Sequence, residues 1–173
     1  QVGLFEEPAI RGFQPVTEAD ARLPAQGADA RDVHPLQHGP VRLRGVPVDP
    51  AGEARCLEWL SWISIDLHGI GYGQLWRPHR FVADPALHEA VKSKGMENIL
   101  TAYDHIDHIL SDGREWAVPS QYTVVDAYLV VFWLWGRRIG LEMDTSWPNW
   151  AQLMNKVLER LAVKQALELE GLA

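Results

Sequence analysis

The side chains best suited to chemistry lie close together between Ser64 and Trp76. His68 is an imidazole that can give or take a proton near neutral pH. In a helix closing at Gly69 it would sit in the last turn, where the helix dipole favours its charged form. Capping that helix is its competing role. Tyr72, Trp76 and Phe81 follow in a glycine-rich loop. Flat rings with a polar edge suit the wall of a small-molecule pocket, and the same residues serve ordinary core packing. Asp126 is a charge in the most apolar region of the chain. Burying a carboxylate is costly unless it receives several hydrogen bonds. The Thr123-x-x-Asp126 spacing supplies them as a capping box, with Asp in place of the usual Glu, so a structural role is expected. His105 and His108 share a helix face with Asp104 and Asp107 nearby, the composition of a metal cluster. The buried face of that helix is defined by Ile99, Tyr103, Ile106 and Leu110 instead, and no His-Glu-x-x-His pattern occurs. A solvated polar face is expected there, and no metal. Cys56 has helical neighbours Trp59 and Leu60, which suits a small core residue better than a nucleophile.

These residues must be positioned by helices. Leu57, Leu60, Ile63, Ser64 and Leu67 recur at three- and four-residue spacing, which predicts a helix from about Pro50 to His68 with Asp49 as N-cap. Trp76 to Arg80 reads as a loop. A second helix is expected from about Pro85 to Leu110, with Leu87, Val91, Ile99, Tyr103, Ile106 and Leu110 apolar. The third runs from Val124 to about Ile139 with Gly140 as its C-terminal stop. It carries no charge from Ala127 to Gly136, and a helix apolar on all faces is expected to be buried on all faces. A fourth is placed from about Pro148 to Arg160 and a fifth from about Val163 to Leu169. Residues 1–50 hold seven of the eleven prolines and show almost no helical period, so they are expected to be an irregular segment. An all-α domain over residues 51–173 follows.

The 173 residues carry a net charge of −7, which argues against nucleic acid as a partner. The single cysteine excludes an internal disulfide and a cysteine-based zinc site, and fits a reduced cytoplasmic setting. No apolar run reaches the length of a membrane span, so no membrane partner is expected. No signal peptide is read at the start. The chain begins with Gln1, as expected of a processed chain or a piece of a longer one.

The order of motifs from residue 51 to residue 171 resembles the C-terminal domain of glutathione S-transferases, and most closely the bacterial beta-class type. Thr123-Val-Val-Asp-Ala-Tyr128 is similar to that family's Ser/Thr-x-x-Asp-Ala-Tyr helix start. Trp147-Pro-Asn149 and Arg160-Leu-Ala-Val-Lys-Gln-Ala-Leu167 resemble its Trp-Pro-Asn turn and its last helix, where Leu161 replaces the usual Pro. The resemblance implies an all-α bundle of the family's C-terminal type. Ser64-Ile-Asp-Leu-His68 resembles a family segment whose His and following Lys face the cleft between two domains. His68 matches, and Gly69 replaces the Lys. His68, Tyr72 and Trp76 are therefore expected on the electrophile side of the site.

In the family the thiol-activating group lies in an N-terminal thioredoxin-like domain of roughly 75 to 80 residues, and no such pattern precedes Ala51. Leu4-Phe-Glu-Glu-Pro-Ala-Ile10 resembles the family segment that binds the γ-glutamyl end of glutathione; Glu6 matches the acid, while Glu7 replaces the Ser. Residues 1–50 are thus expected to be a remnant of that domain in a truncated or rearranged member, and no catalytic residue can be named. The implied activity of the intact relative is conjugation of glutathione, as co-substrate, to a small electrophile. The alternative is a non-catalytic helical interaction module or an inactive fragment. The family commonly forms homodimers, which leaves a homodimer open to this chain.

Overall fold

The computed structural model describes residues 45–47 and 49–172, which fall in one compact unit, Pro40–Ala173. Among the described residues every regular element is helical. Helix α1 (Pro50–Trp62) starts at Asp49, whose carboxylate accepts from the Gly52 N–H at 2.7 Å. It does not end at Gly69. The chain runs on as a π-helix (Ile63–Tyr72) and then as α2 (Gly73–Trp76). The wider winding shows where the Gly73 N–H reaches back to the His68 carbonyl, five residues earlier.

Gly71, expected to permit a bend, instead lets a second helix come close. α3 (His88–Leu110) crosses this segment, and a Cβ placed on its Gly95 would lie 2.7 Å from the Leu75 nitrogen and 2.9 Å from the Gly71 oxygen. A Cβ on Gly71 would lie 3.0 Å from Ile99 Cγ1. Glycine costs about 1 kcal/mol in a helix interior relative to alanine; here it is offset by packing backbone against backbone. α2 stops at Trp76 because Pro78 disfavours the helical conformation at Arg77, which takes φ −133° and ψ 55°. Pro78–Arg80 then forms a single 3₁₀ turn, so the expected loop is partly helical.

α3 is preceded by a 3₁₀ turn at Pro85–Leu87, and Leu87 is exposed although its spacing placed it on the buried face. Ile99, Tyr103, Ile106 and Leu110 are buried as expected. α4 (Val124–Arg138) ends near Gly140, which takes φ +84°. Leu129, Phe132 and Trp133 are buried, but the opposite side is not. Val124 and Ala127 are exposed, and Tyr128, Val131, Leu134 and Trp135 are half-buried. Apolar composition alone therefore misjudged this face.

A short α5 (Met143–Ser146), absent from the sequence reading, leads into α6 (Pro148–Leu158) and α7 (Leu161–Leu169). α6 has no capping side chain of its own. Asp107 of α3 supplies one, accepting from the Trp150 N–H at 2.9 Å and from Asn149 Nδ2 at 2.8 Å. Asp104 accepts from Trp147 Nε1 at 2.8 Å. The two aspartates expected on a solvated face thus hold the Trp-Pro-Asn turn, and a carboxylate at a helix N-terminus is favoured by the dipole. The core gathers Cys56, Ile63, Ile99, Leu129, Phe132, Trp133, Trp150 and Met154 between α1, the π-helix, α3, α4 and α6.

Candidate functional site

Where the π-helix and α2 pass the half-covered face of α4, a cavity of about 500 Å³ opens. Its lining includes His68, Tyr72, Trp76, Arg77, Arg80 and Trp135. A volume of this size suits a small organic ligand. The rings of Tyr72 and Trp76 have centroids 4.7 Å apart, Trp76 and Trp135 4.7 Å, and Tyr72 and Trp135 4.9 Å. Aromatic pairs at these tilted and edge-on angles attract beyond their burial alone.

The structure brings His68, Tyr72 and Trp76 together, but in different roles. Tyr72 is 1% exposed, and its hydroxyl lies 2.6 Å from that of Tyr103. The Tyr103 hydroxyl donates to the carbonyl of Phe132, so the Tyr72 hydroxyl must be the donor between the two phenols. Burial pushes both phenols well above the ordinary tyrosine range. Tyr72 offers the cavity a ring, with its polar end spent inside the core. Trp76 is 43% exposed and forms the outer wall. His68 is exposed; its Nδ1 lies 3.1 Å from the Tyr128 hydroxyl, and its ring meets Trp135 edge-on at 5.4 Å. It stands inside the continuous helical run, so the helix-end dipole argument made for it does not hold. Phe81 is outside the lining and would meet a Cβ on Gly73 at 3.4 Å. Glu6 lies outside the described residues.

Sequence reasoning passed over Trp135, Tyr128, Arg77 and Arg80. Tyr128 and Trp135 are seven residues apart and so share one face of α4. Once α4 was taken as buried all round, that face carried no signal.

Asp126 has the structural role expected of it. It is fully buried, and it accepts from the Thr123 N–H at 2.7 Å, the Thr123 hydroxyl at 3.1 Å and the Ala117 N–H at 2.8 Å. Thr123 accepts from the Val125 N–H at 3.3 Å, and the capping box is complete. Burial pushes the Asp126 carboxyl up from the usual carboxylate range, and the backbone donors of Ala117 and Thr123 pull it back. The Ala117 bond ties the turn before α4 to its first turn, a partner the local motif did not foretell.

Cys56 is wholly buried, and burial pushes its thiol up. A neutral, covered thiol is a poor nucleophile. In the native chain Cys56 is expected to stay silent towards an aromatic disulfide reagent and to react fully once the chain is unfolded in denaturant. Rapid native labelling would contradict its burial. Among the described residues no group of three or more His, Cys, Asp or Glu side chains could hold a metal ion, and no helix is long and apolar enough to cross a membrane.

Residues 78–160 match the family described as glutathione S-transferase, C-terminal domain. The chain is 28% identical over 126 residues to the glutathione S-transferase GstA of Escherichia coli O157:H7, covering 73% of this chain and 58% of that protein. It therefore spans less than two thirds of that relative. A sphingomonad glutathione S-transferase solved with glutathione is 27% identical, with a TM-score of 0.58, over 70% of this chain and 55% of that one. A glutathione transferase homologue from Sulfitobacter, also solved with glutathione, shares the fold with a TM-score of 0.65 at 19% identity, over 75% of this chain and 60% of that one. The matched region, the helical architecture and the capping box at Thr123 and Asp126 agree: the chain is similar to the glutathione S-transferase family in that family's C-terminal helical domain.

Proposed function

We propose that this chain carries the electrophile-binding side of a glutathione transferase, a protein that joins the sulfur of glutathione to a small electrophile. The cavity walled by Tyr72, Trp76 and Trp135 is the observation that carries this reading. In such a reaction the glutathione thiolate forms a thioether and the electrophile loses its leaving group. The protein assists by lowering the thiol's pKa and by holding the partners together. His68, Tyr72 and Trp76 supply electrophile contacts, with Trp135 completing the wall. No residue is assigned to thiol activation. Residues 1–50 are taken as the remnant of the thioredoxin-like layer, in which Glu6 would meet the γ-glutamyl end, and residues 51–173 as the helical domain. The reading implies glutathione as co-substrate, no metal, a detoxifying role in the cytoplasm and a homodimer.

Titration of the chain with glutathione, followed by tryptophan fluorescence and calorimetry, tests it. Saturable binding is expected, accompanied by thioether formation with a chloronitroaromatic electrophile. A folded, helical chain that binds no glutathione at millimolar concentration would overturn the transferase reading.

A further inference from the structure

The cavity lining has an unusual charge pattern for a chain of net charge −7. Arg77 and Arg80 stand at its edge, His68 adds an imidazole, and no carboxylate occurs among the described residues that line it. Arg80 is held there by the 3₁₀ turn at Pro78–Arg80, whose backbone closes through the Arg80 N–H to the Arg77 carbonyl at 3.0 Å. No ion pair of Arg80 occurs among the described residues.

Three aromatic rings alone could suit either a cation or a flat neutral ring. The geometry decides between them. Centroids 4.7 to 4.9 Å apart mean that the three rings pack on one another, with no room for an ammonium group between them. Two guanidinium groups at the edge would also repel it. The same guanidinium groups present flat, forked donors that match a carboxylate or sulfonate. The Tyr128 hydroxyl can donate to His68 Nδ1, which leaves the ring proton on Nε2 as a further donor.

Resting on the transferase reading above, we propose that the cavity selects flat aromatic compounds bearing an anionic group, the ring lying on Trp76 and Trp135 and the anion meeting Arg80 and Arg77. The selectivity belongs to this chain's own edge residues and not to the aromatic wall, which accepts neutral rings as well.

A matched pair of probes tests this: 4-chloro-3-nitrobenzoate and its neutral amide, titrated separately against the full chain by tryptophan quenching. The acid is expected to bind about three- to tenfold tighter, a range set by partly exposed charge pairs. High salt should narrow the gap, since the arginines are exposed. Arg80→Gln should reduce the preference, Arg80→Lys should keep most of it, and Arg77→Gln combined with Arg80→Gln should bring the acid's affinity level with the amide's. Equal binding of acid and amide by the unaltered chain overturns the proposal and leaves the cavity reading standing. A preference that survives in the double variant overturns it too. Failure of both probes to bind removes the cavity as an electrophile site, and the proposal with it.

Discussion

Replacing Asp126 with alanine is expected to lower the unfolding free energy by about 3 kcal/mol. An ordinary N-cap loss costs about 1 kcal/mol, because the freed donors turn to water. Water cannot reach this site. Asp126 is fully buried and accepts from the N–H groups of both Ala117 and Thr123. Each buried donor left without an acceptor costs about 1–3 kcal/mol, and removing the carboxylate returns part of that by relieving its own burial. Asp126→Asn should fall between the two. Its amide keeps one oxygen as acceptor but turns an NH₂ onto a donor. Urea denaturation with an unchanged m-value reads the effect. A loss no greater than that of an exposed cap would show that the Ala117 bond contributes nothing.

Gly95→Ala is the second large effect, and its sign runs against helix propensity. Propensity alone predicts a gain of about 1 kcal/mol in the interior of α3. The added Cβ would lie 2.7 Å from the Leu75 nitrogen, 2.8 Å from Gln74 Cβ and 2.9 Å from the Gly71 oxygen. Two of these are backbone atoms, which cannot swing aside. The π-helix and α2 must back away as a unit, and a net loss of about 2–3 kcal/mol is expected. α2 also carries Trp76, so binding of aromatic probes in the cavity should weaken in the same variant. Stability equal to or above the unaltered chain would mean that the two segments separate without cost.

The contrast between these two positions shows what was legible in the sequence. The capping box was readable because Thr123 and Asp126 act across three residues of one helix start. The helix starts at Pro50 and Val124 and the end near Gly140 were readable for the same reason, as caps and stops are local. The burial of Ile99, Tyr103, Ile106 and Leu110 follows from period alone. Gly71 was misread because a glycine that permits a bend and one that admits a neighbour look identical until that neighbour is known. Asp107 acts across more than forty residues on the start of α6. No local pattern distinguishes it from a solvated aspartate. The cavity lay between these cases. His68, Tyr72 and Trp76 come from one continuous segment, whereas Trp135 enters from α4 and Arg80 from the 3₁₀ turn.

One helix fixes the placement of most of the others. α3 receives α2 at Gly95, bonds the Phe132 carbonyl of α4 through Tyr103, and holds the start of α6 through Asp107. α7 stands outside that frame and contributes no buried residue. Freedom to vary is therefore distributed unevenly along the chain. Sequence drift in α7 alters the outer surface and leaves the aromatic walls where α3 sets them. A change at one inward position of α3 alters several distances at once. Any redesign of this scaffold would accordingly graft new surface onto the tail and keep the middle helix as the fixed rule from which everything else is measured.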